Sequence, residues 1–546
     1  MRKKISTIIC CIGLVSTIFS NTYYIHPEKG NDANSGVEKT QAWKSFKNIS
    51  SIYFEAGDIV SIAAGYEING SLILNNISGL EKKPIIICSY KSDSNKSKYA
   101  TINAKGFSNG ILLIDSKHIK IKDIIIHANG GNYNTNADKK AMRCGILIKT
   151  NTITTSENIH INNVYILDIF YENEGYERPL SDRHTAVGNL NYGYGIRFIN
   201  IIKGALIKNV SIRNSTIHNV AHTAIKFTGN QKSAFQDIEI SNNKITKSGG
   251  PGIQMSNTKN AHVFNNTIDQ SGSSDDARKW GRGSGMWTWG CQYFIIEKNQ
   301  FLNASGPADS AGVHIDFNCS DIIVQYNFSK NNAGGFCEIL GNNYNCSYRY
   351  NVSVNDGYRV KKQNGAFQDG KLFWLSGFVG KGKKRNGPFN SYFYNNTIYV
   401  KNKIVAKYAV AKQSQGILIV NNIFHILGDS KNVLGDQYQP ELKENINEIN
   451  RIVFKNNLFL NTSNWPKEVL ISDKSPVFGN AEFAKPNGEN LKDYIPTNIK
   501  LIKNKGIPIP KIPRDSIGLK IGLKVKYDIL GNRIKGLPDM GAIEIK

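Results

Sequence analysis

The sequence predicts an all-β fold, a right-handed parallel β-helix with loop insertions along its length. Three observations carry that expectation. An apolar-x-x-Asn-x-apolar motif recurs, as in Ile240-Ser-Asn-Asn-Lys-Ile, Val263-Phe-Asn-Asn-Thr-Ile, Val324-Gln-Tyr-Asn-Phe and Val453-Phe-Lys-Asn-Asn-Leu-Phe. Its asparagines return at one coil length: Asn243 to Asn266 is 23 residues, Asn299 to Asn327 is 28 and Asn327 to Asn351 is 24. The short strands around them alternate with period two, and long helical periodicity is nearly absent. Asparagine suits the position because it tolerates a left-handed turn and its amide can bond its copy in the next coil. The 49 Gly against 15 Pro fit many tight turns, and 546 residues suit a solenoid that grows along one axis better than one compact core.

Taken in chain order, residues 1–20 read as an export signal. Arg2, Lys3 and Lys4 precede the apolar run Ile5 to Phe19, and Ser20 is small enough for a cleavage site. The expectation is a protein exported to the periplasm or beyond. Residues 21–546 read as a single β-helix domain. A short helix through Trp43 to Tyr53 is expected to cap its open end, within an N-terminal cap of residues 21–60. Five insertions interrupt the coils, at Asn132 to Arg143, Tyr171 to Tyr194, Ser271 to Gly283, Tyr358 to Lys371 and Gly377 to Pro388. Loops leaving one face of a rigid scaffold usually build its binding site, so these are expected to wall a groove. Residues 470–546 are expected to close the other end.

Six cysteines lie beyond the signal: Cys88, Cys144, Cys291, Cys319, Cys337 and Cys346. No CxxC pairing argues for zinc, and neither a metal nor a cofactor is expected. Cys291, Cys319 and Cys346 each follow a core strand and read as a stack of thiols at one corner. The formal charge of +25 describes either a solvated lysine-rich surface or a field that attracts a polyanion. Nucleic acid is a poor candidate, because no recognition motif or dense basic run is present. No later apolar run is long enough to span a membrane.

Alignment of the coils on a shared small residue gives columns. Gly195-Ile-Arg-Phe, Ala224-Ile-Lys-Phe, Gly252-Ile-Gln-Met, Gly285-Met-Trp-Thr-Trp, Gly312-Val-His-Ile-Asp and Gly334-Gly-Phe-Cys-Glu line up. Strand alternation then places Arg197, Lys226, Gln254, Trp287 and His314 in one outward column. It places Trp289, Asp316 and Glu338 in a second, two residues on; a slip of register would move them. Asp316 and Glu338 are 338 − 316 = 22 residues apart, one coil, so they are expected to stack across strands ~4.8 Å apart. Carboxyl groups roughly 5 Å apart suit a retaining glycosidase. Asp316 reads as nucleophile, or as a strand-end carboxylate bonding turn amides. Glu338 reads as acid and then base, its apolar neighbours raising its pKa, or as the partner of a nearby cation. Trp287 and Trp289 are sugar platforms or core. His314 bonds a hydroxyl or orients Asp316. Arg197 and Lys226 hold an anionic substituent or form a solvated ladder. Gln254 is a further sugar contact, and Asp309 is a third acid at the rim.

The opening run Tyr23-Tyr-Ile-His-Pro-Glu-Lys-Gly-Asn-Asp-Ala-Asn-Ser-Gly, with Ala42-Trp-Lys-Ser-Phe, and the closing Pro538-Asp-Met-Gly-Ala-Ile-Glu resemble secreted bacterial β-helix proteins that act on polysaccharides. The paired acids resemble the site of glycoside hydrolase family 120. That resemblance implies an Asp nucleophile and, one coil later, a Glu acid/base, carried here onto Asp316 and Glu338. The leading expectation is a hydrolase of a poly- or oligosaccharide, an anionic or sulfated one included. The runner-up is a lyase acting on a uronate polymer, with Lys226, His222, His314 or Arg197 as base and neutraliser and calcium on the acids in one version. A non-catalytic glycan-binding solenoid is the third.

Overall fold

The computed structural model, described for residues 20–92, 97–131, 142–185, 192–435 and 449–546, is a right-handed parallel β-helix. Residues 1–19 of the expected export signal, residues 132–141 of the first insertion and residues 186–191 of the second lie outside the described residues. The strands form two sheets, of 26 and 12 strands. The larger wraps two faces of the coil, because the long strand Thr155–Phe170 pairs in parallel with both Leu206–Arg213 and Thr216–Val220. The twelve-stranded sheet forms the third face and carries the outward column.

Period-two strands bury every second side chain, and parallel register puts like on like. Ile126, Ile166, Ile217, Ile245 and Ile268 stack coil upon coil and end on Phe301, all of them fully buried. Each such side chain contributes about 1.5–3 kcal/mol of transfer free energy. At the corner, Asn243 N–H donates to Asn266 Oδ1 (3.0 Å), and the step repeats through Asn299, Asn327, Asn351, Asn396, Asn422 and Asn457. The two jobs expected of one asparagine fall to neighbours. The buried residue forms the ladder, while the residue before it takes the left-handed turn, as at Asn242 (φ 56°), Lys298 (φ 55°) and Tyr326 (φ 57°).

The N-terminal cap differs from expectation. Lys39–Gln41 and Lys47–Ser51 are short 3-10 turns, and the one α-helix among the described residues is Ile499–Ile502. Serines compete with helical bonding: Ser51 Oγ donates to Asn48 O (2.8 Å), and Ser45 Oγ accepts from Lys47 N–H (3.2 Å). The core is closed instead by Trp43, stacked on Tyr23 at 5.6 Å. At the other end the chain turns back along the larger sheet, where Tyr326 Oη donates to Tyr527 O (3.0 Å) and Asn395 Nδ2 to Asp539 O (2.9 Å). All six cysteines are free, and Cys319 Sγ accepts from Cys291 N–H (3.4 Å) within the expected stack.

Candidate active site

Register decides what meets what. Arg197 pairs with Lys226, Lys226 with Gln254, Gln254 with Trp287 and Trp287 with His314. Asp316 follows in the second column, its N–H bonded to Thr288 O (3.0 Å). The next coil breaks the expected alignment. Ile315 pairs with Ile339 and Ala311 with Gly335, an offset of 24 rather than 22, so Glu338 stands beside His314 and not beside Asp316. The Asn ladder sets that length, since Asn327 to Asn351 is also 24. Gly334 and Gly335 are needed for close approach instead of for the column. A Cβ on Gly334 would lie 1.8 Å from Asp309 O, and one on Gly335, at φ 134°, 2.0 Å from Lys371 O.

Three side chains follow from this register, all nearly inaccessible: His314 (3% exposed), Glu338 (3%) and Asp316 (6%). His314 Nδ1 is 2.9 Å from Glu338 Oε1, a close ionic contact whose angle is not that of a hydrogen bond. His314 Nε2 is 3.8 Å from Asp316 Oδ1. Burial by itself would drive the proton off His314. Glu338 and then Asp316 outweigh it, and its pKa rises well above the ordinary value. Asp316 is fixed oxygen by oxygen: Oδ2 accepts from Trp287 Nε1 and Oδ1 from Phe317 N–H, both at 2.8 Å.

A cavity of about 470 Å³ opens at the C-terminal ends of these strands. His314, Asp316, Trp287 and Trp374 form its floor. His184, Arg282, Gln368, Phe378 and Lys381 reach it from the second to fifth insertions. Asp309 also lines it and Glu338 does not. Asp309 (φ 48°) and Ser310 (φ 66°) form a left-handed turn, backbone strain that surrounding contacts must hold. The bare face of Gly334 admits the turn, and Arg359 Nη1 donates to Asp309 O (3.0 Å). Arg282 grips the carboxylate, Nε to Oδ2 at 2.7 Å and Nη2 to Oδ2 at 2.7 Å. Burial would raise the pKa of Asp309, but Arg282, with His314 behind it, pulls it below the usual range. A larger hollow, about 780 Å³, lies on the other sheet beside Tyr293 and Lys520. Asp237 there is tied to Asn260 and none of the outward column reaches it, so the smaller cavity is the candidate site.

The remaining expected residues disperse. Trp289 packs edge-on against Phe317 (6.0 Å) and does not line the cavity. Arg197 lies over Tyr194 (4.3 Å) with Lys226 beside it (5.4 Å), both buried upstream. Gln254 stays in the column between them and Trp287. His222 is stacked on Trp280 (4.5 Å) and lies 5.0 Å from Tyr194, so three of the bases named for a lyase gather in a buried cluster around Tyr194, apart from His314 and outside the cavity. Arg282, Trp374, Phe378 and Lys371 were missed. Trp374 pairs with Glu338 in the outward column, yet a 36-residue step hides it, and Lys371 Nζ lies 3.8 Å from its ring centre. Burial lowers the pKa of Lys371 to about 7 against the opposing pull of Glu338.

A family model described as "Right handed beta helix region" matches residues 199–368. The chain is 22% identical to a lacto-N-biosidase of Bifidobacterium longum subsp. longum, over 97% of this chain and 36% of that one. It thus spans about a third of the length of that relative. Among solved structures it is similar to a GH136 lacto-N-biosidase from Eubacterium ramulus, with TM-score 0.53 and 20% identity over 73% of this chain and 68% of that one. The selenomethionine derivative of the same enzyme gives 0.51 over the same shares. At this identity the likeness shows the fold.

Proposed function

We propose that the protein is an exported glycoside hydrolase acting on an oligosaccharide, with Asp309 and Asp316 as its two carboxylates. The observation that carries this reading is that these two acids face one aromatic-lined cavity while Glu338 does not. The named relative, a lacto-N-biosidase, supports an oligosaccharide as substrate. Asp309, held ionised by Arg282, is the attacking carboxylate. The proton for the leaving oxygen comes from Asp316, supplied in turn by the His314 imidazolium 3.8 Å away. Asp316 then takes a proton from water as the water oxygen attacks the anomeric carbon, the bond to Asp309 breaks, the sugar leaves with retention, and the proton returns to His314. Glu338 touches neither substrate nor reacting atoms in this scheme and is a positioning residue acting through His314. The roles of Asp316 and Glu338 thus differ from those implied by the resemblance to family 120, whose stacked pair the register removes.

The test is digestion of a panel of neutral, uronate and sulfated glycans, read by reducing ends and by the ultraviolet absorbance of an unsaturated uronate. Reducing ends alone support hydrolysis, and absorbance overturns it. Asp309→Asn and Asp316→Asn should each lose about 10³-fold in kcat. Azide rescue of the alanine variants assigns the roles: an inverted glycosyl azide from Asp309→Ala marks Asp309 as nucleophile, and the same product from Asp316→Ala exchanges the two.

A further inference from the structure

Gln368 comes from the fourth insertion, lines the cavity with Asp309 and is 4% exposed. Arg359 anchors it there. Arg359 Nε donates to Gln368 O (2.8 Å), while Nη1 donates to Gly306 O (3.1 Å) and Asp309 O (3.0 Å). One buried guanidinium thus ties the insertion to the Asp309 turn.

The Gln368 amide is held in one orientation. Its Oε1 accepts from Asp309 N–H (3.2 Å) and from Arg359 Nη2 (3.4 Å), which occupies both lone pairs of an amide oxygen. Turned over, the amide would set its own N–H groups against those two donors, so the network fixes which end is oxygen. Nε2 is the other end. It has no acceptor among the described residues, and it is not sealed from solvent. The side chain therefore offers the cavity N–H groups that donate, and no oxygen left to accept. Two other donors of the lining are already engaged, Arg282 Nε with Asp309 and Trp287 Nε1 with Asp316.

Gln368 is one hydrogen bond from the main chain of the residue that attacks. A ring seated on Asp309 brings to it the atoms beside the anomeric carbon, the ring oxygen on one side and C2 on the other. The ring oxygen takes up positive charge as the glycosidic bond breaks, so a donor facing it would oppose the reaction. A donor to the substituent on C2 strengthens in the transition state instead.

We propose that Gln368 donates a hydrogen bond to the oxygen carried on C2 of the sugar that Asp309 attacks, and so selects a hydroxyl or acetamido sugar over a 2-deoxy one. The hydroxyl oxygen and the acetamido carbonyl oxygen share this acceptor chemistry. The assignment rests on the glycoside hydrolase reading with Asp309 as nucleophile.

Gln368→Glu tests it in the full chain. The carboxylate keeps an oxygen for Asp309 N–H and Arg359 Nη2 and loses the N–H donors. Rates of native protein and variant are compared on p-nitrophenyl mono- and disaccharides of gluco and galacto type. Matched sets carry a hydroxyl, an acetamido group or hydrogen on C2 of the reacting sugar. On whichever substituted set the native protein cleaves faster, the variant should lose about 10²-fold in kcat, and that set identifies the group. On the 2-deoxy set it should lose less than about threefold. The charge introduced beside Asp309 slows both sets alike, so the ratio of the two losses reads the hydrogen bond. Equal losses on substituted and 2-deoxy sugars, or no loss on either, overturns the proposal and leaves the hydrolase reading intact. If the native protein cleaves none of these probes the proposal is lost, and the hydrolase reading then stands or falls on the glycan panel.

Discussion

His314 Nδ1 lies 2.9 Å from Oε1 of Glu338, a residue one coil on whose carboxyl is absent from the cavity lining. The imidazole therefore stands between a hidden carboxylate and Asp316, and Glu338 sets its charge. A group whose folded pKa is raised contributes stability that is complete below its unfolded pKa, about 6.5, and lost as pH rises through the folded value. Glu338→Gln removes the strongest raising influence on His314. In that variant the histidine's NMR titration should move down toward neutrality. The rate should fall about 10–100-fold above pH 7, with KM little changed, and partly recover at pH 5. A uniform loss at every pH would mean that Glu338 only supports the fold.

Lys371 gives a second pH-dependent signal. Its ammonium is buried over the Trp374 ring, donates to Asp369 O (3.2 Å) and titrates at about 7. For an amine with a lowered folded pKa the cost is absent above about 10.4, grows as pH falls and is complete below 7. Lys371→Met should therefore raise Tm more at pH 6 than at pH 9. Trp374 fluorescence should show an inflection near pH 7 in the native protein and none in the variant. An inflection that survives the substitution would assign it to another group.

Much of this architecture was legible in the sequence because a stacked coil repeats its chemistry. Every inward isoleucine and ladder asparagine is a local signal seen many times over, and columns from Arg197 to His314 align on their small residues. The site lies where the repetition stops. Gly334 and Gly335 mimic the column glycine of the coil before, but their lack of side chain serves the Asp309 turn and the Lys371 strand. The 24-residue step from Asn327 to Asn351 carried the true register and fixed Glu338 beside His314. Arg282, Gln368 and Phe378 come from insertions with no periodicity, and only three-dimensional closure brings them to the strand ends.

Asn327 tests the ladder. Its Oδ1 accepts from the backbone and side-chain amides of Asn299 (both 3.0 Å), while its Nδ2 donates to Ile296 O (2.9 Å) and Asn351 Oδ1 (3.0 Å). Asn327→Ala leaves two buried donors and three buried acceptors, Gln325 O (2.9 Å) among them, with fewer partners, each costing about 1–3 kcal/mol. A loss of about 3 kcal/mol or more is expected by denaturant unfolding, although the side chain removed is not apolar. A loss under about 1 kcal/mol would show that the ladder is not a principal source of stability.

Asp356 occupies a comparable ladder position with a charge on it. Its carboxyl accepts from Asn332 N–H (2.8 Å), Ser329 Oγ (2.6 Å) and Ser353 Oγ (2.7 Å), yet burial outweighs these donors and lifts its pKa to about 7. Between about 3.9 and 7 the unfolded chain releases this proton while the folded chain keeps it, so stability falls as pH rises across that window and the loss is complete above 7. Asparagine at 356 would keep the carbonyl that Asn332 needs, as Asn351 does for Asn327, and could donate to the two serine oxygens without ever ionising. Asp356→Asn should therefore be close to neutral at pH 4 and stabilising by a few kcal/mol at pH 8. Thermal unfolding across that range reads the difference directly. A gap between variant and native Tm that stays constant from pH 4 to 8 would mean that Asp356 is ionised throughout, these donors and Asn332 Nδ2 (2.9 Å) having outweighed its burial.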